Sequence, residues 1–415
     1  MKKTIRIIAL VCGLTLAACG SDTPSQGEDA QASLADTDTS ATGPLDAAED
    51  AAEPSDLGPG EAASTDGGSG SCASEPSFAR IVAIPDIHGD LHHYRQSLRL
   101  AGVVDGEDVP MEWTAGDSTH LVQTGDVVDR GQHSLLIMDM LANLTVRAKR
   151  VGGEVTALMG NHELMSGLMD DTRYVHKDEI LLLGTKELDA MRELGGEGMG
   201  TSYGISAKWQ TGTMVWHRSF GPDAKQGRRL RRRRPLATVA GSGFCKSLFS
   251  HAGVRSRHLD AFDGGVDAMN EAAAAAIQGK PDIGWLHHHP LYDNESPVWN
   301  RFYSLEGDDD DVCDEVNRVL TATRANRMVI GHTVQSGGMR TKCGGKLHLI
   351  DVGMSSAYVG RAAAWICEGG EVRARYADHT ELLEREADGE KRAGDGGTEE
   401  AGEKKKKKKK KKGWW

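Results

Sequence analysis

The sequence predicts an α/β fold, because strand-like and helix-like segments alternate along the chain. Three apolar runs, Ile81–Ile84, His120–Thr124 and Val155–Met159, read as buried strands, and each stops at a Pro or Gly beside polar residues. Between these runs, Leu91–Leu100 and Ser134–Leu141 carry the apolar spacing of amphipathic helices. The resulting β-α-β-α-β order is typical of a layered α/β core.

Further elements are predicted beyond this core. The apolar runs Lys246–Ser250, Arg327–Ile330 and Lys346–Ile350 are expected to form later strands, and residues 164–220 are expected to be largely helical. Ser134 is predicted to be the N-cap of the second helix, since a serine at that position can accept a backbone hydrogen bond.

The composition divides the chain into one folded domain, at residues 77–377, and two flanking segments. Residues 20–76 contain no aromatic residue, and between residues 20 and 79 there are thirteen acidic residues and no Lys or Arg. Such a segment cannot bury enough apolar area to offset its ordering entropy, so we expect a disordered acidic linker. Residues 378–415 are expected to be a disordered charged tail, which includes the nine consecutive lysines at 404–412.

Residues 1–19 have the form of a targeting segment, with a basic start and an apolar run at Ile7–Leu16. The run is too short to span a bilayer, which favours a signal peptide. Leu16-Ala17-Ala18-Cys19 resembles the lipobox of bacterial lipoproteins, which would make Cys19 a lipidated first residue and a membrane anchor. We therefore expect a periplasm-facing, outer-membrane lipoprotein of the bacterial cell envelope; the alternative is an ordinary secretory signal and a secreted periplasmic protein.

Two other features leave alternatives open. Cys343 and Cys367 flank apolar runs that could pair as strands, so they form either a disulfide or buried free thiols. The basic run Arg228–Arg234 could bind nucleic acid, but it has no interleaved aromatic residues and the chain carries a net charge of −12. A solvated loop and no nucleic-acid partner are the expectation.

The polar residues that follow the apolar runs are predicted to meet at one edge of the fold, where open α/β sheets place their sites. Asp, His and Asn side chains suit borderline divalent cations such as Mn, Fe or Zn. We expect two such ions, with Asp126 bridging them, because an aspartate has two oxygens and a negative charge. The predicted ligands are Asp86 and His88 for one ion, Asp126 for both, and Asn161, His251 and His332 for the other.

This arrangement predicts hydrolysis of a phosphate ester by water activated between the two cations. His162 is the candidate general acid for the leaving alcohol, and Asp129 is expected to orient it. Arg130 and Arg301, together with Asn161, are expected to contact the phosphate oxygens, although Arg301 could instead stack on Trp299. The remaining histidines of interest are expected to be solvated or substrate-facing rather than metal ligands: His92, His93, His133 and His287–His289.

The motifs in combination resemble one known family, the calcineurin-like metallophosphoesterases, and more narrowly the PPP-type phosphoprotein phosphatases. The blocks that carry this resemblance are Asp86–Gly89, Gly125–Gly131, Gly160–Glu163, His251–Gly253 and Gly331-His332. Ser296–Arg301 and Asp351–Ser355 are similar to the Shewanella-like phosphatase branch. The resemblance implies a four-layer α/β/β/α sandwich, two metals and hydrolysis of phosphomonoesters on serine, threonine or tyrosine.

Three functions are therefore weighed. The first is a protein phosphatase that acts on phosphorylated protein. The second is a phosphoesterase of the same fold that acts on small molecules, such as nucleotides or phosphosugars, to scavenge phosphate. The third is a surface-anchored binding protein with an inactive site, against which the intact ligand set argues. The oligomeric state is left open.

Overall fold

The computed structural model describes residues 78–106, 111–169, 171–193, 205–221, 224–262, 265–278, 289–306 and 309–387. The strands in these ranges are β1 Arg80–Ile84, β2 Thr119–Gln123, β3 Glu154–Ala157, β4 Ala237–Ala240, β5 Ser247–Ser250, β6 Arg327–Ile330, β7 Arg340–Lys342, β8 Leu347–Leu349, β9 Ala363–Glu368, β10 Glu371–Tyr376 and β11 Thr380–Arg385. The α-helices are α1 Leu91–Leu100, α2 Ser134–Arg150, α3 Asn161–Leu168, α4 Lys177–Glu193, α5 Ile205–Ser219, α6 Lys225–Arg233, α7 Ser256–Asp260, α8 Val266–Gln278 and α9 Asp309–Thr323.

The strands form two mixed sheets. The first has the order β11-β10-β9-β1-β2-β3, in which β1, β2 and β3 are parallel and the other pairings are antiparallel. The second has the order β4-β5-β6-β8-β7, in which β5, β6 and β8 are parallel. The parallel strands of both sheets are those that precede the predicted site residues.

Side chains alternate between two cores along the central strands. In β1, Ile81 and Ala83 belong to a core shared with Phe249 of β5 and Val329 of β6, so this core lies between the two sheets. The intervening residues of β1, such as Val82, belong to a core shared with helices, among them α1 and α2. This period of two is the one expected for a strand that is buried on both faces. The mixed α/β fold predicted from the sequence is confirmed, and its arrangement is consistent with the metallophosphoesterase sandwich.

The predicted first helices are present, and residues 164–220 are largely helical where described, in α3, α4 and α5. The N-cap prediction was wrong: Ser134 is the first residue of α2, and His133 occupies the cap position without a side-chain cap bond. The Ser134 hydroxyl faces backwards instead and accepts the backbone N–H of Asp129 at 3.2 Å. Ser134 therefore stabilises the loop before α2 and does not cap the helix, as its residue type had suggested.

The cysteine pairing considered from the sequence was also wrong. Cys245 bonds to Cys367, and Cys313 bonds to Cys343. Cys343 and Cys367 are therefore neither paired with each other nor free thiols, because each is bonded to another cysteine. The Cys245–Cys367 bond joins the segment before β5 to β9, so it links the second sheet to the first.

The predicted end of the folded domain and the predicted structure of the arginine run both need correction. The folded domain extends past Ala377, because β11 pairs with β10. The arginine run is not a solvated loop: its first residues lie in α6, where Arg229 donates to Asp139, and Arg234 is buried beside Glu163.

The predicted signal peptide, Cys19, the acidic linker and the poly-lysine segment lie outside the described residues. Within the described ranges, no helix is both long and apolar enough to cross a membrane.

Candidate metal centre and catalytic site

The predicted site residues come together at the carboxyl ends of parallel strands from both sheets. Each lies directly after its strand or at the start of the next helix, where the backbone has left the sheet and the side chain can turn toward the neighbouring strand end. The residues so placed are Asp86 and His88 after β1, Asp126 after β2, Asn161 at the start of α3, His251 after β5 and His332 after β6. Apart from His332, which belongs to the partly buried class, all are buried.

The backbone at these strand ends takes a conformation that costs free energy. His88, Asp126 and His332 have φ values of 47°, 52° and 67°, in the left-handed region that residues other than glycine rarely adopt. Asp129 and Arg130, in the same loop as Asp126, have φ values of 72° and 67°. Such strain persists where the surrounding structure enforces it, and it is commonly found at functional sites.

Glycine allows the loops to pack this closely. A Cβ atom on Gly160 would lie 2.2 Å from Asp126 Oδ1, and one on Gly125 would lie 2.9 Å from His251 Nδ1. Any larger residue at either position would push the Asp126 loop away from the start of α3.

Asp126 lies at the centre of the cluster. Its Oδ2 is 3.6 Å from His88 Nε2, and its Oδ1 is 3.4 Å from His251 Nε2. His251 Nε2 is in turn 2.9 Å from Asn161 Oδ1 and 3.1 Å from His332 Nδ1. The ligand atoms form two overlapping groups that share Asp126, each within 4.8 Å: His88, Asp126 and His162, and Asp126, His251 and His332.

The histidines are held in the orientation that a metal ligand requires. His88 Nδ1 donates to the Val128 carbonyl at 3.2 Å, and His251 Nδ1 donates to the Thr124 carbonyl at 2.9 Å. His332 uses its other nitrogen, Nε2, to donate to Trp299 O at 3.0 Å. A carbonyl can only accept, so in the neutral ring that a metal requires the second nitrogen carries the lone pair and faces the cluster.

The electrostatics of the cluster favour a bound cation. Burial raises the pKa of Asp86 well above its usual value, and the carboxylates of Asp351 and Asp126 add to the effect. Asp86 Oδ1 is buried and has no hydrogen-bond partner among the described residues. A buried carboxylate oxygen without a partner is costly, and a divalent cation would satisfy it. The Asp, Asn and His donors therefore fit divalent metal ions of the borderline class.

Beside this cluster lies a second group, built on His162. Its Nδ1 is 2.7 Å from Asp129 Oδ2, and the other Asp129 oxygen accepts the Ser166 hydroxyl at 2.5 Å. Burial alone would lower the pKa of His162, but Asp126 and the hydrogen bond to Asp129 raise it above its usual value. The imidazole is thus oriented and favours the protonated form, although its ring also approaches His88 and Asp126 closely enough to be counted with them.

Both predicted phosphate-binding arginines line one cavity of about 590 Å³, together with Asn161 and His162. The Arg130 guanidinium lies 4.4 Å from the Tyr174 ring centroid, and Arg301 donates to Thr333 Oγ1 at 2.9 Å. These contacts hold the two guanidinium groups in the cavity beside the candidate metal ligands.

Sequence reasoning missed several residues of the site. Ser166 supports Asp129, and Tyr174 supports Arg130 and lies 5.3 Å from the His162 ring; neither belongs to a recognisable block. Glu163 ends the Gly160–Glu163 block, so its position was marked, but its contacts depend on tertiary structure. His92, His93 and His133 belong to neither ligand group, and His287 and His288 lie outside the described residues.

The strand ends supply carboxylates, histidines and an amide that surround Asp126, and a histidine–aspartate pair lies beside them. Such a site defines a metal-dependent hydrolase of the layered α/β type. Residues 79–336 match the family of calcineurin-like phosphoesterases. The chain belongs to this family, and it is a phosphatase hydrolase.

Individual relatives agree with this assignment. The chain is 32% identical to Shewanella-like protein phosphatase 2 of Arabidopsis thaliana over 295 residues, which cover 66% of this chain and 71% of the relative. It is 26% identical to Shewanella-like protein phosphatase 1 of Plasmodium berghei, covering 66% and 67%. Among solved structures, the cold-active protein-tyrosine phosphatase of a psychrophilic Shewanella species aligns with a TM-score of 0.57 at 23% identity, covering 74% of this chain and 81% of the other. This confirms the resemblance to the Shewanella-like branch.

Proposed function

We propose that this phosphatase removes phosphate from the serine, threonine or tyrosine residues of proteins, using two divalent metal ions. The observation that carries the proposal is the convergence of the six candidate ligands on one strand-end cluster, with His162, Arg130 and Arg301 beside it. The names of the similar proteins, which are protein phosphatases, support a protein substrate.

The chain's own residues would divide the work as their contacts suggest. Asp86, His88 and Asp126 would hold one ion, and Asp126, Asn161, His251 and His332 would hold the other. The ions would supply Lewis acidity, which lowers the pKa of water and offsets phosphate charge. Arg130 and Arg301 line the adjoining cavity and would bind the phosphate oxygens by charge-assisted hydrogen bonds, with Asn161 nearby.

His162 would donate a proton from Nε2 to the leaving oxygen, because Nδ1 is engaged by Asp129. Asp129 fixes the ring and stabilises the imidazolium, while Ser166 holds the second oxygen of Asp129. A protonated, oriented imidazole at the cavity wall is the arrangement that general-acid catalysis requires.

The lining of the cavity suits a phosphorylated protein side chain as the substrate. Its wall includes the apolar and aromatic side chains of Met165, Met169, Tyr174 and Trp299 around the two arginines. Such walls can pack against the alkyl or aromatic leaving group of a phosphorylated side chain.

We further propose that the protein acts in an oxidising compartment, as a periplasm-facing lipoprotein of the cell envelope anchored through Cys19. The signal-like start of the sequence supports this, and the two disulfides support it independently, because disulfides persist in such compartments and are rare in the cytosol. Mass spectrometry of the mature protein from envelope membranes tests the anchor: a lipid-modified Cys19 is expected, and an unmodified soluble protein would contradict it.

The activity is tested with p-nitrophenyl phosphate and the metal-stripped protein, with Mn, Fe or Zn restored and with a chelator present. We expect turnover that returns with metal. Rates on phosphoserine, phosphothreonine and phosphotyrosine peptides should exceed those on nucleotides and phosphosugars. A reversed preference would favour the small-molecule phosphoesterase, and no metal-dependent turnover would favour the inactive binding protein.

A further inference from the structure

Arg234, the last arginine of the basic run, has a buried side chain. Its side chain is 6% exposed, and its Nη1 lies 3.3 Å from both the Glu163 carboxylate and the Leu158 carbonyl. Glu163 is fully buried. A buried ion pair is costly to form and is weak evidence for stability by itself. The role of this pair is therefore inferred from the groups that it contacts.

The Glu163 carboxylate binds the loop that carries the shared aspartate. Its Oε2 accepts the backbone N–H groups of Asp126 at 2.9 Å and Gly160 at 2.8 Å, and its Oε1 accepts that of Val127 at 2.7 Å. One side chain therefore joins the end of β2 to the start of α3, the two segments that supply Asp126 and Asn161.

The position of the Asp126 carboxylate depends on this junction. Asp126 has a left-handed backbone, and its Oδ1 accepts the backbone N–H of His162 at 2.9 Å. Without the acceptor at Glu163, the buried N–H groups of Asp126 and Val127 would lose their partner, and the strained conformation would lose its support. The carboxylate in turn needs a fixed positive charge nearby, which Arg234 supplies because a guanidinium stays protonated.

We propose that Glu163 and Arg234 are a positioning pair that sets the metal affinity of the site by fixing the Asp126 loop. The proposal rests on the metal-dependent function proposed above. Neither side chain lines the cavity with the two arginines, so the pair acts through Asp126 and not on the substrate.

The test uses Glu163→Gln and Arg234→Met in the full-length protein, stripped of metal and titrated with Mn²⁺ by calorimetry. Both variants should bind Mn²⁺ about 10- to 100-fold more weakly, the usual effect of losing a group that holds a ligand. At saturating Mn²⁺, KM for p-nitrophenyl phosphate should stay near the wild-type value. Arg234→Lys keeps the charge without the planar fork, so it should restore part of the affinity.

Arg327→Met is the matched control. It breaks another arginine–carboxylate pair, in which the buried Arg327 donates from Nε to the partly exposed Glu384 at 2.7 Å, between β6 and β11. Its thermal stability without metal should fall, while its Mn²⁺ affinity should match the wild type.

The outcomes separate the two proposals. Glu163→Gln and Arg234→Met proteins that lose thermal stability like the control, yet bind Mn²⁺ as tightly as the wild type, would overturn the positioning role. If one of the two variants does not fold, the Mn²⁺ affinity of the other decides: weakened affinity supports the role, and wild-type affinity in a destabilised protein overturns it. A wild-type protein that binds no divalent metal would instead refute the proposed function.

Discussion

Asp126 and Asp129 are two aspartates of one loop, and comparing them shows how two residues three positions apart come to face different neighbours. Both are buried and both have a left-handed backbone. The carboxylate of Asp126 lies between His88 and His251, each of which presents a nitrogen to it. The two oxygens of the Asp129 carboxylate accept hydrogen bonds from His162 and Ser166. Residue type and loop are the same, so the neighbours decide the role.

The electrostatics of the two aspartates differ accordingly. Burial raises the pKa of Asp126, but the surrounding histidines, His251 foremost, outweigh it and hold the pKa well below its usual value. The pKa of Asp129 is raised, because burial outweighs the hydrogen bond from His162. The Asp126 carboxylate is surrounded by groups that could bind a cation together with it, whereas the Asp129 carboxylate is hydrogen-bonded to the His162 imidazole.

The sharpest test of this contrast is Asp126→Asn. The amide has no charge to share between two cations, so both metal content and activity should fall. We expect kcat to drop about 10³-fold or more, since even one preorganised electrostatic group is commonly worth 10²–10³. Elemental analysis beside kinetics checks it; full metal occupancy in this variant would remove Asp126 from the shared position.

His162→Asn probes the Asp129 side. The metals should remain bound, while kcat on p-nitrophenyl phosphate should fall about 10²–10⁴-fold, the usual contribution of a general acid. The metal measurement matters here because His162 also lies close to His88 and Asp126. Loss of metal from this variant would make His162 a ligand and would erase the division between the two aspartates.

Arg301→Ala tests whether substrate binding is separable from both aspartates. Removing one charge-assisted contact to phosphate should lower kcat/KM about 10- to 100-fold, consistent with about 1.5–3 kcal/mol for a hydrogen bond to a charged group. The loss should appear mainly in KM, with metal content unchanged. A variant with unaltered KM would assign Arg301 to holding Thr333 alone.

Glu179, a third carboxylate near Asp129, should affect stability and not catalysis; its Oε1 accepts the Leu135 N–H at 3.1 Å. Burial raises its pKa from 4.5 to about 7. The folded state therefore holds a proton that the unfolded state releases, and stability falls as pH rises between these values. Glu179→Gln removes the titration, so it should be more stable than wild type at pH 8 by up to about 3 kcal/mol.

At pH 5 the advantage of Glu179→Gln should largely disappear, because wild-type Glu179 is then protonated in the folded protein. Thermal unfolding of both proteins across this pH range measures the difference. An advantage that does not change with pH would show that the Glu179 carboxylate is not the titrating group.

Much of the site was readable from the sequence, because its residues sit at strand ends. Apolar runs that stop at Gly or Pro mark where buried strands leave the sheet, and polar residues at that point have few roles besides function. His251 and His332 were predicted in this way despite lying far along the chain from Asp86, and the structure brings them together beside Asp126. The strands β10 and β11 were missed: β10 alternates buried and partly buried residues and β11 is largely exposed, so neither forms a continuous apolar run.

By itself, the sequence determined the α/β class, the strand ends and the types of donor, because these follow from local periodicity and side-chain chemistry. Only the tertiary structure decided which cysteines pair, why Arg234 is buried and what Glu163 holds. Those outcomes depend on contacts between segments from 30 to more than 100 residues apart, as in the disulfide of Cys245 and Cys367, whose sequence separation is 122. No local pattern encodes such a contact, because its free energy arises only when both sheets are in place.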